Sequence, residues 1–552
     1  MRGAKGQTEF LLLSSGFLVK YGLNLVEPGG ALRYAADRKS LDSRYIRNVL
    51  LLLRQHRRFF LGTALAGFVL RLFFIIYFPA VTDDSHIYAG LATNWLQHGV
   101  YGEMQVGQAE SQAGRMIAPT DARMPGYPAF LASIFFLFGV GNFKAVMLVQ
   151  SLVDLGTCMI VADVARRMIG AGAARIAFAM TALCPFLANY SAAVLTETLE
   201  IFFTALALDC AVAALNRMFG DGAKDSLERT LLDRTCIGLW AATGAAIAAC
   251  ILLRPDGGIV LAAVLLYLVV LYLAALVGKG MASPNRGLGK NIINFLVAAI
   301  IVAIFALAPL APWAIRNFRT LHHFQLLAPR YATDSDELVL HGFNRWVKTW
   351  MVEYASVEEI YWNVPGEKID PQKLPARAME SAAERETTLS LIADYNETQD
   401  ITTELDAGFG DLAGERIRAH PVRYYFVLPL LRVADMWLRP RTEILPPDVR
   451  WWEFNDDARR SVVAVGFGVL NLAYVGAALL ALFRRRSGIR WAGLLVSFLL
   501  LRSALLATLE NPEPRYTLEC YPAIIVLVSA VVGGLRLLRS EVDGRGRPSL
   551  HC

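Results

Sequence analysis

The chain has 552 residues, of which 55 % are hydrophobic and only 18 % charged. A soluble protein of this length would carry more charge, so the composition describes a polytopic membrane protein. The net charge of +6 does not imply a nucleic-acid partner, because the basic residues cluster beside apolar runs and read as topology signals.

In chain order, the first apolar run, "FLLLSSGFLV", has no small-residue cleavage site after it, and basic residues continue to Arg58. Residues 1–58 are therefore expected to form a cytoplasmic basic arm rather than a removed leader. Stretches long enough to cross a bilayer follow at 59–79, 144–165, 173–190, 193–215, 236–253, 257–278, 291–313, 461–483, 489–508 and 518–538, about ten in all. Two shorter Pro-bearing runs, 125–141 and 424–438, are expected to lie in or re-enter the outer interface. With them excluded, "RQHRR", "RRMIGAGAAR", "GKGMASPNRGLGK" and "RRRSGIR" all fall on one side, which the Lys/Arg bias makes cytoplasmic.

This topology gives an all-α polytopic protein with an N-terminal transmembrane module over 59–315 and a C-terminal bundle over 461–540. A first outer loop spans 80–143, an extracytoplasmic region 316–460, and a cytoplasmic tail 541–552. The seven cysteines show no metal-ligand or disulfide spacing, and the long outer region contains none.

The unusual polar groups then collect at the outer face. Asp83 and Asp84 follow the first span, and Arg123 stands in "RMPGYP" at the end of the first loop. Glu197 stands in "LTE", Arg254 in "RPDG", Arg316 in "PWAIRN", and Arg515 and Tyr516 in "ENPEPRY". Each has a structural alternative. Ile87, Leu91 and Trp95 share one helical face, so an aspartate just before them is a natural N-cap, although only one of the pair is needed for that. Arg123 could anchor a helix at the headgroups, and Arg254 and Arg515 could simply pair with Asp256 and Glu513. Glu197, between two closely spaced spans, needs water or a partner and is a functional candidate by default. Carboxylates with several arginines at an outer surface suit group transfer from a lipid phosphate. Arginine pairs with phosphate, and a carboxylate accepts a proton from an incoming hydroxyl.

"DDSHIYAGLATNWLQHGVYG", "RMPGYPAFLA", "VLTETLEIFF", "APWAIRNFRTLHHF" and "NPEPRYTLECYP" together resemble the integral-membrane glycosyltransferases of the GT-C class. Within that class they resemble the bacterial relatives of protein O-mannosyltransferases and of the lipid A aminoarabinose transferase. The resemblance implies a hexosyl- or pentosyltransferase of the bacterial inner membrane. It would work at the periplasmic or exterior face and take sugar from a polyprenyl-phosphate donor to a protein, glycan or glycolipid acceptor. By matching motifs, the catalytic acid falls on Asp84, with Asp83 beside it, and a further acidic residue falls on Glu197. The phosphate-binding residue falls on Arg123, where Met124 separates it from Pro125, a departure from the family's pattern. Tyr88, Tyr127, Arg254, Arg316, Arg515 and Tyr516 are expected to line the substrate site. The sequence leaves metal need open: the paired aspartates could hold a divalent cation, while the resemblance implies that positive side chains suffice.

Two other readings compete. A flippase or transporter of lipid-linked sugars would place charge inside the membrane, and Arg71, Asp154, Asp209 and Arg502 are residues of that kind. A non-catalytic scaffold would account for the 316–460 region but not for the aspartates of the first loop.

Overall fold

The structure is a computed structural model and describes residues 54–105, 116–219, 232–280, 292–331, 338–454, 458–484 and 489–544. Nearly all of the expected basic arm, the centre of the first loop and most of the tail lie outside the described residues. The chain from Phe60 onward forms one compact unit, which holds the membrane helices and the candidate site.

Helix α1 (Arg57–Tyr77) leads into α2 (Asp83–His98), a short antiparallel hairpin and the apolar α3 (Gly126–Phe138). The hairpin pairs β1 (Gly102–Gln105) with β2 (Met116–Pro119), Gly102 facing Pro119 and Gln105 facing Met116. Next come α4 (Phe143–Met168), α5 (Ala171–Ala182), α6 (Pro185–Tyr190), α7 (Glu197–Phe219) and α8 (Arg234–Leu253). Helices α9 (Gly258–Gly280), α10 (Ile292–Leu307) and α11 (Ala311–Leu321) complete this part. A second part contains α12 (His341–Lys348), α13 (Ala382–Thr398), α14 (Thr403–Ala419) and α15 (Leu428–Leu438). The chain ends with α16 (Ala458–Phe483), α17 (Ala492–Leu506) and α18 (Tyr521–Gly544).

Among the described residues, eight helices are long and apolar enough to cross a membrane. Their exposed faces carry Leu61, Leu65, Val69, Ile76, Leu273, Ile300, Val469 and Phe483, side chains that hydrocarbon tolerates and water does not. The chain is an integral membrane protein, and its described secondary structure is helical except for the hairpin.

Two of the ten expected spans are shorter than the sequence suggests. The stretch 173–190 breaks at Leu183 and Cys184, before Pro185, leaving α5 only 12 residues long. The Nη1 of Arg71 then donates to the carbonyl of Ala182 at 2.8 Å, a side-chain cap for a helix end inside the bundle. Helix α17 has 15 residues, about 22 Å, against a hydrocarbon thickness of about 30 Å. The runs expected not to cross do form short helices, α3 and α15.

The bundle packs around Trp240, Phe186, Phe498 and Tyr521, all fully buried. A second cluster unites the first loop with the membrane helices through Phe74, Tyr88, Tyr127, Leu131 and Leu253. Residues 343–413 have a hydrophobic core of their own, built on Trp346, Trp350, Ile392, Tyr395 and Phe409. This core is separate from the two clusters that involve the membrane helices.

Two close approaches of backbone bring the first loop to the membrane helices. Ala80 bridges to Ala193 in parallel, its N–H bonding the Ala192 carbonyl at 3.0 Å, which sets the start of α2 beside the start of α7. Gly126 lies so close to α8 that a Cβ there would be 2.5 Å from the Leu252 carbonyl oxygen, which brings Arg123 toward Arg254.

Candidate active site

Thr82, and neither aspartate, starts helix α2. Its N–H donates to Ser85 Oγ at 3.0 Å, and the two hydroxyls lie 3.2 Å apart. Both aspartates occupy the first turn, where the helix dipole favours negative charge, and both are free of capping duty. They then part company. Asp83 is exposed and forms no ion pair among the described residues. Asp84 turns inward: its Oδ2 is 3.3 Å from Arg515 Nη2, and its Oδ1 is 3.8 Å from Arg123 Nη2.

The same arginines open onto a buried charge network. Arg515 Nε stands 2.6 Å from Glu513 and 3.8 Å from Glu197, and its guanidinium lies 5.5 Å over the Tyr516 ring. Glu197, 1 % exposed at the start of α7, is also 3.5 Å from Arg254 Nη1. Its second oxygen has no hydrogen-bond partner. Arg254 forks onto Asp256 through Nε and Nη2, both at 3.2 Å, approaches Glu200 at 3.6 Å and lies 5.0 Å over Tyr516. Deeper still, Arg502 bridges Asp256 and Glu519, each at 2.8 Å. Carboxylate and guanidinium thus alternate from the rim at Asp84 to the buried base at Glu519. Burial alone would weaken the charge of Arg254, but Asp256, Glu200, Glu519 and Glu197 outweigh it and hold its pKa well above the usual value.

The remaining expected residues have more specific surroundings. Tyr88 is buried edge-on to Tyr127, with ring centroids 5.1 Å apart. Burial and the nearby Asp84 push its pKa up to about 12, so its phenol stays neutral. Tyr127 is fully buried and donates to Gln150 Oε1 at 2.7 Å, while Gln150 bonds the Ala193 carbonyl at 2.6 Å. It ties the first loop to the segment before Glu197 rather than facing an open surface. Arg316 is likewise occupied: it donates to the carbonyls of Thr120 and Tyr101 and lies over the Tyr101 and Trp313 rings, pinning the ends of the hairpin. Tyr516 donates to Glu513 Oε1 at 2.5 Å. Met124, the departure in "RMPGYP", is 2 % exposed; its sulfur accepts the Ala328 N–H, and Arg123 still reaches Asp84.

Sequence reading missed Glu200, Glu519 and Glu443 as members of this site. Glu200 follows Glu197 by three residues on a helix, a spacing that puts both carboxylates on one face and could have exposed it. Glu443 gave no such signal; both its carboxylate oxygens are shut away without a partner, and burial, opposed by Arg441, pushes its pKa up to about 7. The candidate metal ligands also differ from the expected aspartate pair. Among the described residues, Glu200, Asp256 and Glu519 bring oxygens within 4.8 Å of one another, and the guanidiniums of Arg254 and Arg502 already stand against them.

The intramembrane charges that suggested a transporter are all paired. Arg71 meets Asp154 at 2.6 Å, Arg167 meets Asp209 at 2.9 Å, and Arg502 meets Glu519 at 2.8 Å.

Residues 122–221, under a fifth of the chain, match the family described as dolichyl-phosphate-mannose-protein mannosyltransferase. The segment carries Arg123, Tyr127 and Glu197, so the resemblance read from the sequence recurs there. The chain is similar to none of the curated proteins. Among solved structures it is similar to the archaeal oligosaccharyltransferase AglB from Archaeoglobus fulgidus, in complex with an inhibitory peptide and a dolichol-phosphate. That match has 13 % identity and a TM-score of 0.46, and covers 91 % of this chain and 53 % of the other. It is also similar to ArnT from Cupriavidus metallidurans bound to undecaprenyl phosphate, with 15 % identity, a TM-score of 0.32, and 86 % and 77 % of the two chains covered. The chain spans about half the length of the archaeal enzyme.

Proposed function

We propose that this chain is a glycosyltransferase that moves a sugar from a polyprenyl-phosphate donor to an acceptor hydroxyl or amine at the outer face of a bacterial inner membrane. The observation that carries the reading is Asp84, a partly exposed carboxylate with Arg515 at one oxygen and Arg123 at the other. Base and phosphate-binding groups adjoin without saturating each other.

In the proposed reaction Asp84 takes the proton of the acceptor as its oxygen or nitrogen bonds to the anomeric carbon. The bond from that carbon to the phosphate oxygen breaks on the opposite side, inverting the centre. The polyprenyl phosphate leaves as a dianion, stabilised by Arg515 and Arg123 rather than by a proton. Arg254, forked onto Asp256, orients the network more than it meets the donor, and Glu197 holds Arg254 and Arg515 in place. Arg316 and Tyr127 support the loop. The separately cored region 343–413 lies within the expected outer segment 316–460 and would help choose the acceptor.

The test is a transfer assay with the purified chain in lipid nanodiscs, offering labelled polyprenyl-phosphate sugars in turn and comparing wild type with Asp84→Asn. Transfer by wild type alone, from one donor, supports the reading and names the sugar. Equal transfer by both removes Asp84 as the base, and donor binding without transfer from any donor favours a flippase.

A further inference from the structure

Away from the charge network, a cleft of about 620 Å³ opens between α15, α16 and the segment around Trp451. Its walls divide by chemistry. Val465, Val469 and Leu472, spaced along one face of α16, stand across from Leu431 and Leu438 of α15, and all five are substantially exposed. On a membrane helix such a face meets acyl chains. The polar end holds Glu353, Asp435 and Arg439 together with Trp451 and Trp452. Its residues precede α16 in the chain, and its paired tryptophans are of the kind enriched at membrane interfaces.

The polar end offers both charges, held apart. Asp435 accepts the Tyr354 N–H at 3.1 Å and is 3.8 Å from Arg439, too far for a saturated pair. Glu353 pairs with Arg377 and keeps part of its carboxylate exposed to the cleft. Arg439 lies 5.3 Å over the Trp452 ring and donates to the Val449 carbonyl, which leaves it further N–H groups.

We propose that this cleft binds a zwitterionic aminophospholipid of the outer leaflet. Its ammonium would meet Asp435 and Glu353, its phosphate Arg439, and its acyl chains the α15–α16 walls. A primary ammonium donates hydrogen bonds to carboxylates and a trimethylammonium cannot, so the site distinguishes ethanolamine from choline headgroups. A purely anionic lipid would place no positive group before two carboxylates. The lipid would rest against Arg439 and Pro440. The next residue, Arg441, holds the Pro514 carbonyl at 2.7 Å and Tyr521 at 2.8 Å, and so fixes the segment that carries Arg515. The inference rests on the membrane reading and its sidedness, not on sugar transfer.

The test is native mass spectrometry of the full chain in detergent with equimolar dioleoyl phosphatidylethanolamine, phosphatidylcholine and phosphatidylglycerol. Ethanolamine adducts should exceed the other two by about tenfold, the ratio expected from one charge-assisted interaction. That preference should vanish in Glu353→Gln/Asp435→Asn, and Val469→Trp, which fills the lipid-facing wall, should remove the retained lipid. Equal retention of the three lipids, strongest retention of phosphatidylglycerol, a preference unchanged in Glu353→Gln/Asp435→Asn, or full lipid retention in Val469→Trp would overturn the proposal.

Discussion

Two ion-pair systems in this molecule contain the same groups and are built differently. Arg71 and Asp154 are closed off, with side chains 0 % and 2 % exposed and nitrogen and oxygen 2.6 Å apart. Arg71 Nη1 donates to the carbonyls of Gly67 and Ala182, and Nη2 also reaches Cys158 Sγ at 3.7 Å. At the outer rim, Asp84 is 34 % exposed and its arginines stand at 3.3 and 3.8 Å. A buried pair must be saturated because each unpaired charge costs several kcal/mol, whereas a partly solvated group can keep its bonds loose. The first arrangement holds helices together; the second leaves the Asp84 carboxylate partly open to solvent.

Breaking the loose system should affect turnover and leave folding alone. Asp84→Asn is expected to lower transfer by about 10²–10⁴-fold, the range of a lost general base, with the melting temperature in detergent unchanged. Breaking the closed system should do the reverse. Arg71→Leu leaves Asp154 buried and unpaired, at a cost of about 3–5 kcal/mol, while the activity of the folded fraction persists. Arg71→Leu/Asp154→Leu should recover much of that stability, and thermal unfolding read alongside specific activity separates the two cases. Arg515→Gln should reduce turnover by about 10²–10³-fold, as for one lost stabiliser of developing charge. If donor affinity fell and turnover did not, Arg515 would be a ground-state binder.

A smaller effect concerns Glu443. Its folded pKa of about 7 lies above the ordinary 4.5, so between these values the folded chain keeps a proton that the unfolded chain releases. Stability should therefore fall as pH rises from about 4.5 to 7, by up to about 3 kcal/mol, and Glu443→Gln should flatten that slope in thermal melts. The smallest effect is expected from chelation. Arg254 and Arg502 already face the carboxylates of Glu200, Asp256 and Glu519, so EDTA should leave transfer within about twofold. A large loss, restored by one divalent ion, would make that cluster a metal site.

Much of this was legible in the linear chain because hydrophobic runs and basic loops act locally. The membrane helices, the short α3 and α15, and the gathering of Asp84, Arg123, Glu197, Arg254 and Arg515 were all anticipated from the residues. Three kinds of fact were not. The break at Cys184 and Pro185 is tolerable because Arg71, over a hundred residues earlier, supplies the donor for Ala182. Tyr127 and Arg316 stood in motifs with site residues, yet their polar atoms are spent on Gln150 and on the Tyr101 and Thr120 carbonyls. The difference between Asp83 and Asp84 depends on where the first turn of α2 points once Thr82 and Ser85 have capped it.

The sequence by itself determined that the chain enters a membrane, which segments are apolar, and which charged residues are too costly to lack a partner, because transfer free energies belong to residues and runs. Only the tertiary structure decided which partner each charge takes. Asp84 meets Arg515 across 431 positions of chain, and a contact of that separation is fixed by helix packing, for which no local pattern carries the code.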